Sequence, residues 1–283
     1  MDLSVITVTY NSKQYITKQI RSVISGCKHI TFEHIIIDNA SIDGTEKEVE
    51  KWPSVQFVKQ TENVGFAAAN NKAAEIAKGS FLLFLNPDMI VQPESLDTLV
   101  QWMKDHPETG IASCRLVDSD GQLNEDARPR RFPTVWNQLA VLFKLPHVLP
   151  ATVNTYLYTD RDFSQEQEVD TVRGSFFLMR RDIVSALGWA FDPRYIMWFE
   201  DVDTCREVWK RGWKVIFTPI ITCVDHVGGS FRQRSPYVNQ KQFTKSMLTY
   251  FQKWEPWYVW MWIAVARPIG LGLSFLYSTV KKK

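Results

Sequence analysis

Apolar and polar residues follow one another along this chain in blocks. The β-branched run Leu3-Ser4-Val5-Ile6-Thr7-Val8-Thr9 predicts a buried first strand. Ser12 stands where a helix N-cap would, ahead of Ile16, Ile20, Val23 and Ile24 at helical spacing, and Gly26 ends that helix. Residues 34–37 predict a second strand, 38–45 a polar loop, and the stretch before Pro53 a short helix. A third strand follows at 55–58, a helix at 66–77 with Gly79 as its stop, and a fourth strand at 81–85. A helix beyond Pro93 and a strand at 111–114 continue the series. Alternation at this short spacing implies βαβ units, a mostly parallel sheet and an α/β fold.

The pattern weakens across 118–170, where Pro129, Pro133, Pro146 and Pro150 break it and Arg128, Arg130 and Arg131 cluster. This predicts a loop-rich insertion, helical only around 136–143. Regular structure returns at 172–179. Short helices follow at 183–187, capped by Asp182 and stopped by Gly188, and at 203–210, stopped by Gly212. Residues 254–280 are rich in Trp, Tyr, Phe, Leu and Ile, and the chain ends Lys281-Lys282-Lys283. Arg267 and Pro268 interrupt that apolar run, so neither half reaches the roughly 20 residues of a membrane span. Helices lying in a membrane interface fit it, with Trp and Tyr at headgroup level and the lysines on anionic lipid. A helix pair packed on the catalytic domain or on a second copy of the chain fits it as well. We therefore expect a catalytic domain over 1–230 and, over 231–283, a flexible loop followed by aromatic helices.

Composition narrows the picture. A chain of 283 residues with 45% hydrophobic residues has ample core for one large domain with an appendage. A net charge of +2 gives no reason to expect nucleic acid as a partner. Cys27, Cys114, Cys205 and Cys223 form no Cys-x-x-Cys pair, which points to buried free thiols rather than zinc or disulfides. No basic segment followed by an apolar stretch opens the chain, so no signal peptide is expected.

Candidate chemistry lies at strand ends, where open α/β sheets bind ligands. Thr9-Tyr10-Asn11 closes the first strand without the glycine pattern of a dinucleotide site. Asp38 could accept from a nucleotide base or ribose, or it could cap a turn. In Asn63-Val64-Gly65-Phe66, Gly65 suggests a close backbone approach. Asn86-Pro87-Asp88 follows an apolar strand. Asp88 could hold a divalent cation on a diphosphate, or the tripeptide could simply turn the chain. Trp198-Phe199-Glu200-Asp201-Val202-Asp203 sets acids against aromatic rings, which raises carboxyl pKa values toward the range of a general base; acids also favour a helix N-terminus. His226 is followed by Gly228-Gly229 and by Arg232 and Arg234, which could close over a diphosphate. The other histidines have no such setting.

Taken in order, Val5–Asn11, Asp38–Thr45, Asn63–Phe66, Asn86–Asp88, Gly174–Arg180 and Phe199–Asp203 make the chain resemble the inverting glycosyltransferases of family 2, with the GT-A fold, in their bacterial rhamnosyltransferase-like branch. The resemblance covers roughly residues 3–230. It implies a Rossmann-like, mostly parallel sheet flanked by helices, with the C-terminal aromatic helices as an extension. By position it makes Thr9 and Asp38 the nucleotide contacts, with Tyr10, Asn11, Asn63 and Gly65 nearby. It gives Asp88 and His226 to a Mg²⁺ or Mn²⁺ ion and Asp201 to the role of catalytic base. Gly174 and Ser175 then border the donor sugar and acceptor. The first acid of the usual Asp-x-Asp metal motif is Asn86 here, leaving one carboxylate in that motif. The implied reaction moves a sugar, L-rhamnose from dTDP-L-rhamnose, onto a glycan or a polyprenyl-diphosphate-linked acceptor. This would serve cell-surface polysaccharide synthesis at the cytoplasmic face of the inner membrane, by a peripheral protein that could pair as a homodimer. A UDP-hexose donor is the alternative. A nucleotide-sugar pyrophosphorylase or an inert scaffold on the same core are further readings, against which stand the missing basic Gly-rich loop and the retention of Asp88, Asp201 and His226.

Overall fold

The computed structural model describes residues 1–226 and 235–280, with 276–280 described by backbone only. Its first half follows the expected alternation: β1 (Leu3–Thr9), α1 (Lys13–Gly26), β2 (Phe32–Asp38), α2 (Thr45–Val49), β3 (Val55–Lys59), α3 (Phe66–Ile76), β4 (Phe81–Leu85), β5 (Met89–Val91), α4 (Ser95–Asp105) and β6 (Thr109–Val117). Then come α5 (Val135–Leu142), β7 (Gln167–Glu168), β8 (Phe176–Arg180), α6 (Arg181–Leu187), α7 (Glu200–Lys210), β9 (Lys214–Asp225), α8 (Pro236–Trp254) and α9 (Trp257–Val280). The helix predicted at 203–210 begins earlier, so Glu200 and Asp201 occupy its first turn.

Among the described residues the strands form one nine-stranded sheet in the order β3-β2-β1-β4-β8-β6-β9-β5, with β7 on β9. The four N-terminal strands of this order are parallel. β8 is antiparallel to β4 and β6, whereas β9 is parallel to β6 and antiparallel to β5 and β7. The sheet is thus parallel on one side and mixed on the other. Every residue of β4 is buried because side chains alternate between two covered faces. Leu82 and Phe84 join Ile6, Ile35 and Phe177 on one face; Leu83 and Leu85 join Val5, Val100 and Leu178 on the other.

Some local expectations met different causes. Ser12 holds the N-cap position of α1, but its hydroxyl is engaged with Tyr10 and makes no cap bond. Asp182 lies inside the first turn of α6 and does not cap it. Gly79 is not the residue that ends α3, which closes at Ala77. A Cβ at Gly79 would lie 2.3 Å from the Ser4 amide nitrogen, so the glycine lets two backbones meet. All four cysteines are buried free thiols.

The apolar C-terminal run is not split at Arg267 and Pro268 as expected: α9 continues through both. Pro268 removes one helical hydrogen bond. The helix is held nonetheless by side-on packing: Arg267 Nε donates to Thr244 Oγ1 of α8 at 3.1 Å, and Gly270 sits so close to α5 that a Cβ would be 3.0 Å from the Leu142 carbonyl. Leu142, Met247, Tyr250, Phe251 and Ile263 form a core between α5, α8, α9 and the α7 entry, where Tyr195 and Phe199 join it. Fully burying each such side chain contributes about 1.5–3 kcal/mol. The 257–275 stretch of α9 is, among the described residues, the one helix long and apolar enough to cross a membrane, and only 22% of it is buried.

Candidate active site

The C-terminal ends of β1, β2 and β4, the entry to β8 and the start of α7 converge on a cavity of about 370 Å³. Of the residues singled out in the sequence, Tyr10, Asn63, Gly65, Asn86, Asp88, Gly174, Ser175 and Asp201 line it. Their positions follow from strand order, since β8 lies beside β4 and the segment entering it brings Gly174 and Ser175 next to Asn86. The Asn86 amide donates to the Ser175 carbonyl at 3.0 Å.

Thr9 and Asp38 sit beneath this surface and are fully buried. Thr9 Oγ1 donates to Asp38 Oδ1 at 2.7 Å, Ser41 Oγ donates to the same oxygen at 2.5 Å, and the Ser41 amide donates to Asp38 Oδ2 at 2.9 Å. Asp38 therefore braces the 38–41 turn. Asn11, in left-handed backbone at φ 51°, locks the neighbouring loop, accepting at Oδ1 from Ile42 and donating its amide to Ser41 Oγ. Asn39, which the sequence did not single out, lines the cavity, and its Nδ2 donates to the Gly65 carbonyl at 3.2 Å. A Cβ on Gly65, at φ +89°, would lie 2.8 Å from the Ile196 carbonyl, which accepts the Phe66 amide at 2.9 Å. The approach inferred for Gly65 is thus a contact with the segment leading to the acidic motif.

That segment enters α7 through two successive aromatic residues in left-handed backbone, Trp198 at φ 66° and Phe199 at φ 67°. Such conformations cost about 1–3 kcal/mol each and persist where packing imposes them. Here Phe243 and Tyr250 of α8 press on Phe199, each with ring centroids 5.5 Å away, and Ser246 Oγ donates to the Met197 carbonyl at 2.7 Å. The turn aims the first residues of α7 at the cavity. Asp201 Oδ2 accepts the Gly174 amide at 2.9 Å and Oδ1 accepts the Val202 amide at 2.8 Å. Glu200 is buried, lines the same cavity and has an Oε2 without a partner. Burial, and after it the Asp201 charge, push the Glu200 carboxyl well above the usual range. The raised pKa expected of this acidic stretch thus falls on Glu200, and also on buried Asp203.

Asp88 and His226 meet through an element that the sequence did not announce. Short β5 pairs antiparallel with the end of β9, Met89 opposite Asp225, and the His226 amide donates to the Asp88 carbonyl at 3.0 Å. Asp225 comes with them; it lines the cavity and accepts from Asn124 Nδ2 at 3.1 Å. Burial raises its carboxyl, against the pull of Arg173. Among the described residues no three His, Cys, Asp or Glu side chains form a ready ligand set. Arg232 and Arg234 lie outside the described residues. Three other arginines, Arg128, Arg130 and Arg173, line the cavity wall. The first two were visible only as a cluster in the insertion, and Arg173 carried no sequence signal.

Residues 4–188 match the family model of glycosyl transferase family 2, and the chain belongs to that family. It is 28% identical over 236 residues to N-acetylglucosaminyl-diphospho-decaprenol L-rhamnosyltransferase of Mycobacterium tuberculosis, spanning 79% of this chain and 76% of the relative. It is 24% identical over 230 residues to the rhamnosyltransferase WbbL of Escherichia coli, spanning 78% and 82%. In fold it is similar to the mannosyltransferase PcManGT from Pyrobaculum calidifontis, solved with GDP-Man and Mn²⁺. That match has a TM-score of 0.59 and 19% identity, and covers 97% of this chain and 73% of the other. The protein is a glycosyltransferase with a GT-A-like fold, which sets aside the pyrophosphorylase and scaffold readings.

Proposed function

We propose that this enzyme inverts the anomeric centre of L-rhamnose as it transfers the sugar from dTDP-L-rhamnose to a hydroxyl of a glycan or lipid-linked acceptor in cell-surface polysaccharide synthesis. The observation that carries the mechanism is the shared cavity of Asp88 and Asp201, with Asp201 held by the Gly174 amide. Asp201 takes the proton of the acceptor hydroxyl as its oxygen attacks the anomeric carbon. The bond from that carbon to the diphosphate oxygen breaks, and the nucleoside diphosphate departs from the opposite face. Burial raises the Glu200 carboxyl well above the usual range, while Asp201, oriented by the Gly174 and Val202 amides, is the acid this reading gives the proton to.

Thr9, Tyr10, Asn11, Asp38, Asn63 and Gly65 form the nucleotide side of the site in this reading. Asp38 serves chiefly by fixing the 38–41 turn, while Asn86, Gly174, Ser175, Arg232 and Arg234 belong to the sugar and diphosphate. Asp88 on the cavity and His226 beside it suit a divalent cation, because such ions take few protein ligands when a diphosphate supplies the rest. Bound there, Mg²⁺ or Mn²⁺ would supply positive charge to the leaving diphosphate. The donor choice rests on the rhamnosyltransferase names of two relatives. Residues 1–230 form the catalytic domain in this reading. Residues 231–283 form its appendage, in which Phe243 of α8 lines the cavity and the exposed rings of Trp257, Tyr258 and Trp262 lie on the cytoplasmic face of the membrane.

Release of nucleoside diphosphate from a panel of nucleotide sugars, with and without Mn²⁺, tests the donor. Turnover of a UDP-hexose in place of dTDP-L-rhamnose would replace the sugar and leave the mechanism standing. General-base help is worth about 10²–10⁴ in rate, so Asp201→Asn is expected to lower turnover by that order with donor affinity retained. Near-normal turnover would remove Asp201 from its role.

A further inference from the structure

The cavity has two walls, set by strand order. Tyr10, Asn39 and Asn63 come from the loops after β1, β2 and β3, at one side of the sheet. Arg128, Arg130 and Arg173 come from the insertion and from the approach to β8, on the other side of Asp88 and Asp201. Arg130 is placed by backbone pairing with Thr171. Among the described residues each of these cations keeps guanidinium N–H groups without a protein acceptor. Among the described residues Arg173 has no hydrogen-bond partner; the charges facing it are Arg130, which repels it, and Asp126, Asp201 and Asp225. Arg130 Nη2 reaches only the Asp126 carbonyl, at 3.2 Å. Arg128 meets Glu125 at 2.5 Å, but its Nε is buried without a partner.

The same wall opens onto a second, apolar depression of about 550 Å³. Tyr156 lines both spaces, and the Arg130 guanidinium lies 5.7 Å from the centre of its ring. The depression is floored by α5 and the 3-10 turns after it, through Trp136, Leu139, Phe143 and Leu145. Trp136 is 73% exposed. α5 packs directly on α9, which exposes Trp262, Val265 and Ile269. Three guanidinium groups with spare N–H donors at one end and an uncovered apolar trough at the other complement a molecule that is anionic at its head and hydrocarbon behind it. Guanidinium groups suit phosphate oxygens in particular, by paired hydrogen bonds.

We infer that Arg128, Arg130 and Arg173 bind the phosphate or diphosphate of an amphiphilic acceptor, whose hydrocarbon chain runs past Tyr156 into the trough under α5. The inference rests on the transferase reading above and adds the acceptor's binding determinants to it. It makes acceptor recognition a property of the insertion, apart from the nucleotide loops.

The test uses the full chain with two synthetic N-acetylglucosaminyl diphosphates, one on a phytanyl chain and one on a methyl group. Transfer kinetics are measured alongside calorimetric affinity for the free nucleoside diphosphate, with thermal melting to confirm folding. Arg130→Gln and Arg173→Gln are each expected to raise KM for the phytanyl acceptor roughly tenfold or more, the worth of a charge-assisted hydrogen bond. Their nucleoside diphosphate affinity stays within about twofold of the parent's, because those cations lie on the acceptor wall. Trp136→Ser, at an exposed position, is expected to raise KM for the phytanyl acceptor and not for the methyl one. Equal weakening of nucleoside diphosphate binding would assign the arginines to the donor and overturn the inference. So would equal KM values for the two acceptors, or donor turnover with transfer to neither. Absence of turnover with every nucleotide sugar would overturn the transferase reading itself.

Discussion

Replacing Lys253 by Met should reveal how the C-terminal helices support the acidic motif. Lys253 Nζ lies 2.6 Å from Asp203 Oδ2, 2.9 Å from Glu207 Oε1 and 3.1 Å from Asp192 Oδ2, and its side chain is only 13% exposed. Asp192 and Glu207 would each keep a second cation, Arg194 and Arg211. Asp203, fully buried, would keep only the neutral donors Trp254 Nε1 at 2.6 Å and Tyr195 OH at 3.2 Å. Most of the loss therefore falls on one carboxylate, and removing one partner of a buried pair costs about 3–5 kcal/mol. At about 2–4 °C per kcal/mol for a chain somewhat smaller than this one, the melting temperature should fall by roughly 6–20 °C. Burial already holds the Asp203 carboxyl above its ordinary value, with Lys253 opposing. Without Lys253 it rises further. A carboxyl whose folded pKa lies above the unfolded one binds its proton more tightly in the native state, so the variant's stability falls as pH rises from about 4 through the folded pKa. Urea unfolding at pH 5 and pH 8 measures this, and the penalty should be smaller at pH 5. Adding Asp203→Asn should restore part of the loss. A penalty under about 1 kcal/mol, the level of a surface pair, or one independent of pH, would refute the reasoning.

Two further substitutions probe the frame of the site. Gly65→Ala meets both a left-handed backbone and a Cβ contact of 2.8 Å with the Ile196 carbonyl, so a loss of about 1–3 kcal/mol is expected, together with lower turnover as the Phe66–Ile196 link opens; an unchanged urea midpoint would contradict it. His34 is buried against Thr7, and burial pushes its pKa down to about 3. Because the unfolded chain takes up the proton near pH 6.5, the stability this residue contributes is complete above that pH. It is lost as pH falls toward 3, at no more than about 1.4 kcal/mol per unit. His34→Gln should flatten that slope in acid unfolding, and an identical slope in the variant would show that other groups set it.

Much of the core was legible from residue order because it depends on short-range spacing. Short β-branched and apolar runs determined β1, β2, β3 and β4, helical spacing determined α1, and helical composition determined α3. Asp88 follows β4 and Asp201 belongs to the acidic stretch, and the ordered motifs of the family resemblance assign both to one site. The rest depended on contacts between distant segments. β5 is three residues long and exists only because β9 pairs with it, and that pairing sets His226 beside Asp88 and brings in Asp225. Asp38 stood out as an acid at a strand end, yet only the approach of Thr9 and Ser41 decided that its oxygens brace a turn. Glu200 and Asp201 are adjacent in the chain and of like chemistry. Tertiary packing separated them by burying one without a partner and giving the other two backbone amides. Arg173 had no local signal at all, because a cation's role depends on which charges and apolar surfaces the fold assembles around it. Periodicity determines which residues form an element; desolvation and partnering, which determine what a polar group can do, arise only when elements from far apart in the chain close over it.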